Sequence, residues 1–355
     1  MARRRSQKRK KKGGCLSSLF MLTVLLLVCA GGAAAWLLML PFGPTTETFV
    51  EIAPGSSTPQ IARQLAAAGV VQSPYVFELV RRIKRGQRGS LKAGEYRFDH
   101  PATVIEVYAR LVRGDVFTIA VTIPEGANVF DIGDQLERAG LGTQTQFLAV
   151  AAHKSSLISD LDPMASSLEG YLFPDTYRFP HKATATQIAA QMVKRFRSVL
   201  TNQLGIHPGD AQENIHTLVT LASLVERETA VETDRPLVAS VLTNRLNRRM
   251  PLMTDPSVIY GLKRAGVWRG RIYASDLKHD TPYNTYLHVG LPPGPVANPG
   301  VKSLRAALSP PATDYMYFVA AGTNAQGGSR FSATLDEHNL AVAEYRRTLR
   351  QGGGH

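Results

Sequence analysis

The feature that most constrains this chain lies near its start. Residues 16–40 form an uncharged, apolar run of about 25 residues, close to the ~20 that an α-helix needs to cross a bilayer. A cleaved signal peptide is the competing reading, with Ala33, Ala34 and Ala35 as its small-residue site. The run continues past them through Trp36, Leu37, Leu38, Met39 and Leu40, whereas the apolar part of a signal peptide is usually ~7–15 residues. An uncleaved anchor is therefore expected. Cys15 precedes the run instead of ending it, which argues against a lipoprotein signal. Before the run stand Arg3, Arg4, Arg5, Lys8, Arg9, Lys10, Lys11 and Lys12, with no acid among them. Such a block stays cytoplasmic, so everything after Pro41 is expected to be exported.

That block also explains the charge. The chain carries +13, but without these eight cations about +5 remains, so the basicity marks topology and not a nucleic-acid partner. An apolar content of 44% excludes a disordered chain, and 19% charged residues exclude a coiled coil. Cys15 and Cys29 both lie in or beside the apolar run, so nothing later can form a disulfide or a thiolate zinc site. The nine histidines include no HExxH pair. No metal and no cofactor is expected.

Beyond the anchor, residues 45–117 read as a small α/β module. Thr48, Phe49, Val50, Glu51 and Ile52 have a strand pattern, and Ala53-Pro54-Gly55 is a turn. Ile61, Leu65 and Ala68 mark one helical face ended by Gly69. Pro74 opens a second helix, and residues 93–98 return as a strand. A faint repeat follows about 71 residues on: residues 121–126 echo 50–55, and Ile132, Leu136 and Gly140 echo Ile61, Leu65 and Gly69. The repeat implies a duplicated strand–turn–helix unit, used twice to grip one linear ligand. From Ser166 onward, apolar-faced helices are expected at residues 186–200, 214–229, 236–246, 257–262 and 335–349. Asp255 is expected as the cap and Pro256 as the first residue of the fourth of these. Residues 315–319, almost wholly apolar, predict a central strand.

Three loops between those helices are rich in Tyr, Asn, Asp, Thr and Pro: residues 168–177, 281–300 and 253–256. Such loops suit a sugar, because rings stack on its apolar face while amides and carboxylates take its hydroxyls. Rigid packed loops use the same residues. The helix at 214–229 carries two acids, Glu226 and Glu228, which two steps of ~100° set about 200° apart. They cannot share a face. Centred on Val225, Glu228 lies about 60° from the apolar stripe and Glu226 about 100° away on the other side. Glu228 is thus the acid expected to be desolvated, with a raised pKa suited to a general acid. The alternative is a surface pair with Arg227, Arg235 or another cation.

Three strings are familiar together: Leu221-Ala222-Ser223-Leu224-Val225-Glu226-Arg227-Glu228-Thr229, Met253-Thr254-Asp255-Pro256-Ser257, and Pro282-Tyr283-Asn284-Thr285-Tyr286 followed by Gly290-Leu291-Pro292-Pro293-Gly294. With the loop from Glu169 to Tyr177 they closely resemble the YceG-like endolytic murein transglycosylases, over essentially the whole exported part. The resemblance implies an α+β protein of the bacterial inner membrane. Its parts would be a basic cytoplasmic tail (1–15), a single transmembrane anchor (16–41), a LysM-like α/β module (45–117), a mixed α+β YceG-like catalytic domain (118–350) and a disordered end (351–355). The LysM-like stretch is divergent, and Arg227 is a conservative departure.

The resemblance assigns catalysis to Glu228, in agreement with the helical-face argument. It implies cleavage of the MurNAc–GlcNAc β-1,4 bond of nascent peptidoglycan with 1,6-anhydro ends. Tyr283, Asn284, Tyr286 and Asn298 would position sugars, with Glu226 and Asp255 in support, and Glu169 and Asp175 would be supporting or substrate-binding. Expected partners are peptidoglycan glycan strands and peptidoglycan synthases, but no nucleic acid. Two alternatives stand beside this reading: a hydrolytic muramidase using Asp175 or Asp255 as base, and a non-catalytic peptidoglycan-binding scaffold.

Overall fold

The computed structural model of the protein describes residues 14–84, 89–207, 214–322 and 327–352. The basic residues 3–12 and the last three residues of the expected disordered end lie outside them. Helix α1 (Gly14–Met39) realises the apolar run, and its segment Leu19–Met39 is long and apolar enough to cross a membrane, with none of it buried in protein. The chain then divides after Thr118 into two compact units.

In the first unit the order is β1 (Thr48–Ile52), α2 (Thr58–Ala67), α3 (Pro74–Ile83), β2 (Gly94–Phe98) and α4 (Val104–Arg113). β1 and β2 pair antiparallel, with Val50 opposite Tyr96. Alternation sends Val50, Ile52, Tyr96 and Phe98 to one core with Ile61, Leu65, Phe77, Val107 and Leu111. Gly69, at φ +69°, ends α2 in a conformation that a side chain would resist.

The second unit opens on the same plan: β3 (Ile119–Thr122), α5 (Val129–Arg138), α6 (Gln144–His153) and β4 (Thr176–Phe179). α5 begins and ends 71 residues after α2, and α6 begins and ends 70 residues after α3. Again the two strands pair antiparallel, with Val121 opposite Tyr177. The helices start alike too. Ser57 N–H donates to Gln60 Oε1 at 2.8 Å, and Asn128 N–H donates to Asp131 Oδ2 at 3.2 Å, so each third helical residue caps its own first turn. The repeat therefore extends to a whole β–α–α–β motif. One difference matters: 10 residues join α3 to β2, whereas 22 join α6 to β4. The longer connection carries Glu169 and Asp175.

Helices α7 (Ala185–Leu204), α8 (Ile215–Glu228), α9 (Arg235–Asn247), α10 (Asp255–Arg264) and α11 (Val301–Leu308) complete the second core. β5 (Tyr317–Ala320) and β6 (Ser329–Ser332) form a hairpin, and α12 (Leu335–Gly352) closes the unit. Here two expectations need correction. The strand expected to be central is β5, which among the described residues pairs only with β6 and has no buried residue. Its aromatic side chains serve ring packing instead: Tyr317 stacks on His338 of α12 at 5.2 Å and Phe318 meets Phe331 at 6.1 Å. The C-terminal helix also continues through Gly352, past the expected boundary at 350.

Candidate active site at the end of helix α8

Helix α8 starts at Asn214, whose Oδ1 accepts from Thr217 N–H at 3.0 Å. Every residue from Leu218 to Val225 is buried, because the helix packs on α9, α10 and α11 at once. It stops at Glu228 because Thr229 turns to an extended conformation, φ −139°. Glu228 thus occupies the helix's C-terminal residue, where unpaired carbonyls disfavour negative charge.

The two acids differ in what meets their tips. Glu226 Oε1 accepts from Arg235 Nη2 at 3.0 Å, and its Oε2 accepts from Gly300 N–H at 2.9 Å at the start of α11. Its side chain is only 5% exposed. Angular distance from the stripe therefore does not separate the acids: α8 is enclosed on all sides, so Glu226 is buried as well. Pairing separates them. Glu226 ties α8 to α9 and α11, while Glu228, half-buried, forms no hydrogen bond or ion pair among the described residues. Arg227 donates to Gly126 O at 3.2 Å and Arg235 to Glu226, so neither expected surface partner is used.

Burial, followed by the negative charge of Asp255, pushes the Glu228 carboxyl up to about 7; Arg245 opposes the shift. Asp255 is the first residue of α10, and Tyr286 O–H donates to its Oδ1 at 2.7 Å. The helix cap is Thr254, one residue before the expected Asp255, and Pro256 falls second in the first turn, where no N–H is missed. The 281–286 loop is fastened there by hydroxyls: Thr285 Oγ1 accepts from Thr254 N–H at 2.9 Å and lies 2.9 Å from Ser257 Oγ. Just before the cap, Met253 holds φ +52°, strained for a non-glycine residue, with half its surface exposed.

Arg245 was not singled out by sequence, although a signal existed. It falls on the buried face of α9 with Val238, Val241 and Leu242, where a cation needs a reason. Its Nε donates to Met316 O at 2.7 Å and its Nη1 to Leu252 O at 2.8 Å, and its guanidinium lies 5.3 Å from the Tyr317 ring centre. Glu125, also missed, lies across Gly300: a Cβ there would come 1.9 Å from its Oε1. Burial, then Glu226, raises the Glu125 carboxyl.

The remaining candidates scatter. Glu169 is 1% exposed; its Oε2 accepts from Val129 N–H at 3.0 Å and its Oε1 from Asn298 Nδ2 at 2.9 Å. Burial pushes its carboxyl up to about 8. Asn298 also donates to Ala127 O and accepts from Leu172 N–H, both at 2.9 Å. This pair is a knot tying the α6–β4 connection to the 290–300 loop. Asn284 is fully buried, donating to Leu277 O and His279 O and accepting from Tyr286 N–H. With every polar atom engaged within its own loop, it shapes the loop and presents nothing to a ligand. Tyr283 accepts from Arg264 Nη1 at 3.0 Å. Asp175 pairs with Arg195 at 2.6 Å beside a cavity of about 720 Å³ on β4 and α7. Of the expected site, then, the structure groups Glu228, Asp255 and Tyr286, and adds Arg245. Among the described residues no group of His, Cys, Asp or Glu is placed to hold a metal ion.

Residues 50–344 match the model of the YceG-like family. An endolytic murein transglycosylase of Bacillus subtilis is 33% identical over 328 residues, covering 84% of this chain and 85% of that protein. One of Streptococcus pneumoniae is 28% identical over 340 residues, covering 86% of this chain but 60% of its own length. A crystal structure of a yceG-like protein from Listeria monocytogenes superposes with a TM-score of 0.52 at 32% identity, covering 84% of this chain and 99% of the other.

Proposed function

We propose, from the premise that this chain belongs to the YceG-like family, that Glu228 is the acid and base of an endolytic murein transglycosylase. The chain is a lytic transglycosylase that cleaves the glycan strands of peptidoglycan, the activity its relatives are named for. One observation carries the role of Glu228: an unpaired, half-buried carboxyl at a helix C-terminus whose pKa reaches about 7. A large fraction of it therefore carries its proton near neutral pH, as a general acid requires.

The bond cut is MurNAc–GlcNAc β-1,4. Glu228 gives its proton to the bridging oxygen as the C1–O bond breaks. The carboxylate so formed takes the proton of the muramic C6 hydroxyl, whose oxygen bonds to C1 and closes a 1,6-anhydro ring. Glu228 ends protonated as it began, and no water is consumed. Asp255, held by Tyr286, keeps Glu228 protonated and faces the positive charge that develops at C1. The sugar's own N-acetyl group is a second source of stabilisation. Glu226, Glu169, Asn298 and Asn284 hold the loops around this centre.

Asp255 supports one rival, hydrolysis with that second carboxylate as base for a water. Digesting uncrosslinked nascent glycan with the purified protein and weighing the ends decides. Anhydro ends are expected; ends heavier by one water convict the rival. Glu228→Gln is expected to abolish cleavage, and full activity in that variant sinks the assignment.

The β–α–α–β order of the first unit supports a LysM-like, glycan-binding role for residues 45–117. The cations before α1 support a cytoplasmic N-terminus at the bacterial inner membrane, with both units exported. There they meet nascent strands where peptidoglycan synthases, the proposed protein partners, release them.

A further inference from the structure

At the end of α10 remote from Asp255 lies a cavity of about 510 Å³ that the chemistry above does not use. The end of α10, residues 279–283 and Pro293 form its walls. Arg264 is the cation that lines it. Its Nη1 donates to Tyr283 O–H at 3.0 Å, and its guanidinium lies 5.3 Å from the Tyr283 ring centre. Tyr260 is its second hydroxyl partner. Both rings are buried, 7% and 3% exposed, and meet edge to face at 4.9 Å, so the guanidinium rests on two fixed neutral groups.

No carboxylate pairs with Arg264 among the described residues. Glu169 hydrogen-bonds Tyr260, and the acid on the cavity wall, Asp280, is paired with His288 at 2.8 Å. A guanidinium has five N–H donors in a rigid fork that matches a carboxylate. Here that fork is held in place without a counter-ion. Ala265, Pro282 and Pro293 supply small apolar walls around it.

We propose that this cavity binds a carboxylate of the short peptide carried by muramic acid, with Arg264 as its anchor, which rests on the glycan-strand reading above. Reach permits it. Nine steps of ~1.5 Å along α10 put Arg264 about 14 Å from Asp255, and an extended peptide of roughly four residues spans that distance at ~3.3–3.6 Å each. One loop serves both places, Tyr283 at the cavity and Tyr286 on Asp255. Strands with their peptides intact are then better substrates than stripped strands.

The test is calorimetric titration of the full chain, purified in detergent, with soluble muramyl pentapeptide. Arg264→Gln is expected to weaken binding at least tenfold and Arg264→Lys to weaken it less. Ala265→Phe, which fills the cavity and leaves Arg264 in place, is expected to act like Arg264→Gln. Peptide-free muramic acid should not distinguish these variants from wild type. Equal affinity for the pentapeptide in wild type and both cavity variants, or no binding by wild type, overturns the proposal. Cleavage separates this outcome from the function itself. Wild type that binds the pentapeptide but cuts no strand sinks the transglycosylase reading alone. An active enzyme whose KM for peptide-bearing strands is unmoved by Arg264→Gln sinks the cavity alone.

Discussion

Glu226 and Glu228 stand two residues apart on one helix, and their partners give them opposite chemistry. The first meets Arg235 and an amide; the second meets Asp255 and, among the described residues, no hydrogen-bond donor. With Glu228 as the proposed proton donor, activity is expected to fall on the alkaline side of about pH 7. Asp255→Asn removes the charge that raises Glu228 and should move that limb to lower pH. Arg245→Gln removes the opposing cation and should move it higher, while Arg245→Lys should hold it near wild type. A pH–rate series on the three variants checks both directions. Stability offers an independent check. A carboxyl whose pKa rises on folding holds its proton more tightly in the folded state. Folded stability is therefore lost as pH climbs from the ordinary 4.5 through about 7. Glu228→Gln should stabilise the fold by roughly 1–3 kcal/mol at pH 8, read as a higher melting temperature, and leave stability nearly unchanged at pH 4.

Among the elements, the second β–α–α–β motif differs from the first through its longer connection between α6 and β4. That connection ends in the knot of Glu169 and Asn298, and its turn admits no side chain at Gly170. A Cβ there would lie 2.5 Å from Pro295 Cγ and 2.8 Å from Val219 Cγ1, at φ +90°. Gly170→Ala should cost about 2–4 kcal/mol, since a rigid proline ring and the backbone both resist it. Asn298→Ala should cost on the order of 2–3 kcal/mol by leaving Leu172 N–H without its acceptor and Glu169 Oε1 without its amide donor, while Ala127 O keeps the backbone N–H of residue 298. Chemical denaturation measures both, and a change below about 0.5 kcal/mol in either would show that the knot is incidental.

For the whole molecule, α1 is the one described helix with the length and composition of a membrane span. Removing residues 1–40 should move the protein from the membrane pellet to the soluble fraction of lysed cells. The two compact units keep both of their cores in such a variant, as near-unchanged melting behaviour would register.

Much of this was legible beforehand. Local rules placed α1, β1, α2, α3, α5 and α7 to α10 within a few residues, because hydrophobic period, caps and positive-φ glycines act within one or two turns. Local rules also placed two acids on α8. What they could not supply was the partner of each, since Gly300, Asp255 and Arg245 lie 17 to 74 residues away in the chain. β5 misled for a similar reason: an apolar run announces burial but does not say whether strands or rings provide it. Sequence alone therefore determined the long apolar helix, the repeated motif and the pair of candidate acids, because each depends on side chains within a helical turn or a strand of its neighbours. Which glutamate stays unpaired, and which tyrosine faces which cation, was decided only by the tertiary fold, because charge acts through space and is indifferent to the path of the chain.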